Sequence, residues 1–143
     1  MKKLFLDTNI IIDLLAKRDP FYQGAAAIFS CADHKKCMIH TSALSITTTH
    51  YIVSQRLKQE DVKSALGNLK LLLNIISLDD KILELALNDN IFSDFEDGIH
   101  YYSALENKMD IIITRNLRDF KHSKIPAMTA SQFLKSTSFD NHK

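Results

Sequence analysis

Short unbroken apolar runs alternate along this chain with longer stretches of helical spacing. Leu4-Phe5-Leu6 is the first run, and it stops on Asp7. Ile10, Ile11, Ile12, Leu14 and Leu15 follow at once with helical spacing. An apolar run feeding a helix directly predicts a buried parallel strand and its crossover. Asp19-Pro20 predicts the next helix start, with Asp19 as N-cap and Pro20 at the first helical position, and residues 25–32 continue it. Residues 37–41 predict a short strand, followed by Ser42. Over residues 43–56 two patterns conflict. Thr47, Thr48 and Thr49 favour strand, while Leu44, Tyr51 and Ile52 share a helical face, and helix is the reading adopted.

Val62, Leu66, Leu69 and Leu73 predict an amphipathic helix over 60–73. Residues 75–78 predict a strand, and Asp79 or Asp80 caps the helix after it. Ser93 and Glu96 have capping-box spacing at the head of a helix that reaches Asn107. Residues 110–114 form the clearest strand after the first. Residues 125–128 predict an edge strand, where Pro126 is tolerable, and 131–135 a short terminal helix. Strands alternating with helices predict an α/β fold with a parallel sheet covered on both faces. The expected organisation is one domain over residues 1–135, with 136–143 as a frayed tail.

Composition changes this picture little. The formal net charge is +1, so global charge gives no argument for nucleic acid. Attraction to phosphate must come from local patches or a bound metal. Cys31 and Cys37 stand six apart with His34 between them. They lack the four ligands of a zinc site and read as incidental thiols. Asp7 and Asp13 interrupt the first apolar stretch, which excludes a signal sequence or membrane span there. The expectation is a cytoplasmic protein with no membrane association.

The acids are more informative. Asp7 falls at the carboxyl end of the first strand, the edge where open α/β sheets bind ligands. It also suits a helix N-cap, and both readings stand. Asp94, Glu96 and Asp97 lie in one first helical turn, where acids stabilise the macrodipole. Asp97 differs in heading the series Asp97, Tyr101, Ala104, Leu105, an inward-pointing face. After the late strand, Thr114-Arg115-Asn116-Leu117-Arg118-Asp119 makes a polar turn. Asp7, Asp97 and Asp119 are thus expected to converge on one sheet edge. Clustered carboxylates repel unless a cation or protons compensate, and an oxygen-lined set suits Mg²⁺ or Mn²⁺.

Four segments in order, Leu6-Asp7-Thr8-Asn9, the entry from Ser42 to Thr47, "DFEDGIHYYSAL" from Asp94 and "IIITRNLRDF" from Ile111, give a chain that resembles the PIN-domain nucleases. The resemblance spans essentially the whole sequence. It implies a small α/β/α sandwich around a parallel sheet. It also implies metal-dependent cleavage of single-stranded RNA, often by the VapC-like toxin of a toxin–antitoxin pair. By that resemblance Asp7, Asp97 and Asp119 hold Mg²⁺ or Mn²⁺ and Asn116 joins them at the catalytic centre. Asn9, Thr48 and Thr114 would orient waters or phosphate oxygens, and Arg115 and Arg118 would contact RNA phosphates. A solvated face, or a salt bridge to Glu96, is the alternative for these arginines. An antitoxin partner and a homodimer are further implications.

One position departs from the family pattern. Many members carry a glutamate six residues after the position of Ser42. Thr48 stands there instead, and no acid occurs between Asp33 and Glu60. A weakened or inactive module that binds RNA or a protein partner is therefore the alternative reading. Another α/β phosphoryl-transfer domain is a third, weakened because Asp7-Thr8-Asn9 has no second acid two residues on. Histidines are expected in structural or surface roles, with a local contact open between His100 and Asp97.

Overall fold

A computed structural model of the chain describes residues 1–137. Among these residues, strands β1 (Lys2–Leu6), β2 (Cys37–Ser42), β3 (Leu73–Ile76), β4 (Ile111–Ile113) and β5 (Ala127–Met128) form one parallel sheet. Their order is β3-β2-β1-β4-β5. The helices are α1 (Thr8–Leu15), α2 (Tyr22–Asp33), α3 (Ala43–Val53), α4 (Gln59–Leu69), α5 (Asp80–Leu87), α6 (Phe95–Glu106) and α7 (Ala130–Thr137). A 3-10 turn covers Leu117–Phe120.

Alternation along the strands divides the core between two faces. Leu4 and Leu6 pack with Ile11, Ile28, Val62 and Phe133, which brings α1, α2, α4 and α7 to one side. Phe5 packs with Ile82, Ile99 and Ala104, which brings α5 and α6 to the other. Ile111 and Ile113 join the first face, and Ile112 joins the second. The result is the three-layer α/β/α sandwich. Leu4, Phe5, Leu6, Ile112 and Ile113 are fully buried. Each such side chain contributes roughly 1.5–3 kcal/mol, and a one-residue slip would exchange the faces of all of them. The register Leu4↔Ile111 and Leu6↔Ile113 is therefore held by packing on both sides.

The strand order creates the functional edge. From β1 the chain winds outward to β2 and β3, then returns to place β4 on the opposite side of β1. Crossovers leave in opposite directions at β1 and β4, and a crevice opens beyond their carboxyl ends. Asp7 and Thr114 are the first residues past those two strands.

Several boundaries differ from the sequence expectation. Asp19-Pro20 does not start a helix. Phe21 N and Tyr22 N both donate to Arg18 O, which closes a turn, and α2 begins only at Tyr22. Leu73 opens β3 rather than ending α4, because it pairs with Ile39 and is buried there. Asp94, not Ser93, caps α6, accepting from Glu96 N at 2.8 Å. Helix α7 extends through Ser136 and Thr137, two residues placed in the expected tail. The remainder of that tail, 138–143, lies outside the described residues. Among the described residues no helix is long and apolar enough to cross a membrane.

Candidate active site

Asp7 is both a strand-end acid and a helix cap. Its backbone is extended, and its N–H donates to Ile113 O at 2.9 Å, the last rung between β1 and β4. Oδ1 accepts from Thr8 N at 2.7 Å, at the head of α1. Oδ2 accepts from Thr114 Oγ1 at 2.7 Å and from Asn9 Nδ2 at 3.2 Å. Asp7 is buried, 5% exposed, so this carboxylate depends on those donors. Thr114 Oγ1 in turn accepts from Asn116 N at 3.0 Å, and Asn9 Oδ1 accepts from Arg115 N at 3.4 Å. The cap, the strand end and the polar turn thus form one network.

Helix α6 brings its first turn over this edge. Burial first, and then the charges of Asp7, Asp94, Asp119 and Glu96, together raise the Asp97 carboxyl to about 7. Asp7 and Asp119 are thus both near enough for their charge to act on Asp97. Asp119 is exposed on the 3-10 turn, and Asn116 is exposed at its start. Among the described residues no lysine or arginine forms a salt bridge with Asp7, Asp97, Asp119 or Glu96.

Thr48 does not face open space. Its hydroxyl donates to Glu96 Oε2 at 3.2 Å, joining α3 to α6. Glu96 Oε2 also lies 3.7 Å from His100 Nε2. His100 is 1% exposed, and sequence reasoning put it in no functional role. Its Nε2 lies 3.0 Å from Thr8 Oγ1 and 3.7 Å from Asp7 Oδ1, and its Nδ1 lies 3.3 Å from Ser42 Oγ. Burial holds the ring's pKa below the ordinary histidine value, against the pull of the nearby acids. The neutral ring makes these 3.7 Å approaches dipolar contacts rather than ion pairs. With two carboxylates on the Nε2 side, the proton belongs on Nε2, which leaves Nδ1 to accept from Ser42. His100 contacts Glu96 four residues back, not Asp97 three back. That spacing, with Ser42 and Ser45 at the α3 cap, was the available signal for the cluster.

Arg115 is placed differently from the expectation. Its guanidinium pairs with Asp13, Nε to Oδ2 at 2.7 Å and Nη2 to Oδ1 at 3.2 Å, and stacks 4.1 Å above the Phe21 ring. Glu96 is not its partner. Thr114 turns its side chain toward Asp7, so its neighbour turns the other way, toward the buried carboxylate of α1. There Arg115 lines a groove of about 660 Å³ between α1, α2 and α7. Arg118 remains exposed on the 3-10 turn. Cys37 is buried, and that burial pushes its thiol up to about 11, which suits neither metal binding nor nucleophilic chemistry at neutral pH.

The donor set is carboxylate, hydroxyl and amide oxygen, the chemistry of a hard divalent cation. Net negative charge with no lysine or arginine paired to it among the described residues fits the same class. Among the described residues no three acids or imidazoles are already gathered tightly enough to hold an ion by themselves. Mg²⁺ does not require that, since it keeps several waters and takes one or two carboxylates with substrate phosphates.

Comparison with known proteins agrees with this architecture. The chain is 27% identical over 139 residues to Ribonuclease VapC1 of Aquifex aeolicus, covering 92% of this chain and 93% of that protein. DNA-bound VapBC from Salmonella typhimurium contains a chain matching with a TM-score of 0.68 at 17% identity, over 91% of this chain and 99% of that one. A toxin–antitoxin complex from Klebsiella pneumoniae matches with a TM-score of 0.66 at 22% identity, over 89% of this chain and 97% of that one. These two likenesses show a shared fold. The family model of the PIN domain matches residues 3–118, which include Asp7, Thr48, Asp97, Thr114 and Asn116, and this chain belongs to the PIN domain family.

Proposed function

We propose that this protein is a metal-dependent endoribonuclease that cleaves single-stranded RNA and serves as the toxin of a two-protein toxin–antitoxin pair. The observation that carries this reading is the crevice itself. A buried carboxylate, Asp7, sits at the topological switch point, and its charge and that of Asp119 both act on the Asp97 carboxyl. The similarity to a ribonuclease supports the same class, and a fold shared with chains of toxin–antitoxin complexes is consistent with the pair.

Asp7, Asp97 and Asp119 would hold Mg²⁺ or Mn²⁺ in this reading. When bound, such a cation lowers the pKa of a coordinated water and offsets charge on the scissile phosphate. Thr114 and Asn9 fix the Asp7 carboxylate, so its lone pairs are aimed before substrate arrives. Thr8 and Ser42 hold the buried His100 ring beside Asp7 and Glu96. Asn116, exposed at the turn, would orient a phosphate oxygen. Arg118 is the exposed cation for an RNA phosphate, while Arg115 holds the turn to α1 through Asp13. An antitoxin chain, a second copy of the toxin and a cytoplasmic location go with the toxin reading.

The test is cleavage of a mixed pool of short single-stranded RNAs in Mg²⁺ and in Mn²⁺, with Asp7→Asn prepared identically. Cutting by the parent protein alone is expected. A specific observation favours a second reading, a binding module without catalysis: position 48 carries a hydroxyl, not a carboxylate. Absence of cutting by folded, antitoxin-free protein in both metals would select it.

A further inference from the structure

We infer that Glu96 is a further carboxylate ligand of the divalent cation, delivered from α6 and oriented by Thr48 on α3. The inference rests on the metal-dependent reading above and deepens it.

The geometry starts from α3. Ser42 ends β2 and caps α3, accepting from Ser45 N at 3.2 Å, so the first turns of α3 stand at the carboxyl edge of the sheet. Thr48 follows on that helix, and its hydroxyl reaches α6 by donating to Glu96 Oε2. The carboxylate of Glu96 therefore occupies the space that a longer side chain at position 48 would enter. It also shares a neighbour with Asp7. His100 Nε2 lies 3.7 Å from Glu96 Oε2 and 3.7 Å from Asp7 Oδ1, so the two oxygens lie within twice that distance of each other. Two carboxylates, one at the β1 end and one from α6, thus approach the same buried imidazole.

Stabilisation of the α6 macrodipole accounts for an acid at position 96, but not for this direction. A first-turn acid serves the dipole equally well when its side chain extends into water. The carboxylate of Glu96 instead lies against a hydroxyl of one helix and a ring of its own, with Asp97 beside it in sequence. Holding two like charges at this edge is unfavourable unless a proton or a shared cation offsets them, and a shared cation does so without neutralising either acid. The exchange also keeps the charge of the site: where α3 supplies a neutral hydroxyl, α6 supplies the acid.

Titration of the purified full chain with Mn²⁺, followed by calorimetry and by the electron paramagnetic resonance of free Mn²⁺, tests the assignment without reference to RNA cutting. Glu96→Gln keeps an acceptor for Thr48 and removes only the charge. It is expected to weaken Mn²⁺ binding about tenfold or more. Adding Thr48→Glu to Glu96→Gln returns a carboxylate to the same space and is expected to recover most of that loss. If Glu96→Gln does not fold, Glu96→Asp, with the charge withdrawn by one methylene, is read against the same tenfold scale. Parent-like binding by the Glu96 variant, with binding lost in Asp7→Asn, overturns the assignment and leaves the nuclease reading standing. Absence of Mn²⁺ binding by the parent, or binding unaffected by Asp7→Asn, overturns both.

Discussion

Thr114 Oγ1 donates to Asp7 Oδ2 at 2.7 Å, joining two residues 107 positions apart in the chain. Each is the first residue beyond its strand, and the strands are neighbours in the sheet. The hydrogen bond is therefore a direct consequence of the β1–β4 register. It also makes the aim of the Asp7 carboxylate depend on the folding of the late half of the chain. Thr114→Val removes that donor from a buried charged acceptor. It is expected to lower stability by about 1–3 kcal/mol in urea unfolding, whereas Thr114→Ser retains the bond and most of the stability. RNA cleavage is expected to fall in the valine variant and to persist in the serine variant.

Asp97 gives the metal-free protein a defined pH dependence. Burial, with like charges around it, raises its carboxyl in the folded state from the ordinary 3.8 to about 7. Below about 4 both folded and unfolded chains hold the proton, and the site carries no penalty. As pH rises from about 4 to 7 the unfolded chain releases its proton first, so the folded state loses stability through that window. Above it the loss is complete. Asp97→Asn is expected to melt above the parent at pH 8 and level with it at pH 4, both in chelator. Equal melting temperatures at the two pH values would remove the electrostatic account of the crevice.

Arg115 and Arg118 are neighbours in the same turn with different expected behaviour. Arg115→Ala leaves Asp13, which is fully buried, without its cation, and the cost expected in urea unfolding is about 3–5 kcal/mol. The exposed Arg118 should change stability by less than about 0.5 kcal/mol when replaced by alanine. If both variants unfold like the parent, the ion pair with Asp13 has no structural role.

Arg118→Ala is read instead in RNA binding. If Arg118 contacts one phosphate, the slope of log affinity against log salt for a single-stranded RNA should shrink by about 0.7. Fluorescence anisotropy of a labelled oligonucleotide, with Asp7→Asn as the background to prevent cutting, measures that slope. An unchanged slope would place the RNA path elsewhere on the protein.

Much of the layout was legible from local pattern. The run Leu4-Phe5-Leu6 ending on Asp7, followed by apolar residues at helical spacing, describes a buried strand, its terminal acid and its crossover within a single stretch. Ile111-Ile112-Ile113 with its polar turn repeats that design. Boundaries were less legible where one residue fits two periods. Leu73 continues the apolar face of α4 and also suits the start of β3, and pairing with the distant Ile39 decides between them. Ser93 and Asp94 both suit a cap, and the backbone at Asp94 selects the latter.

By itself the sequence determined the alternation of strand and helix, the two-sided burial of the central strands, and the acids at their ends. These follow from periodicity and from the chemistry of chain reversal, which act over a few residues. Only the tertiary structure decided which polar groups meet. Asp13 takes Arg115 from 102 positions away, Thr48 meets Glu96 from 48 positions away, and His100 is sealed between Thr8 and Ser42. No local pattern contains those pairings. They are set by the order β3-β2-β1-β4-β5 and by the face that α6 presents to the sheet, and both depend on packing the whole core at once.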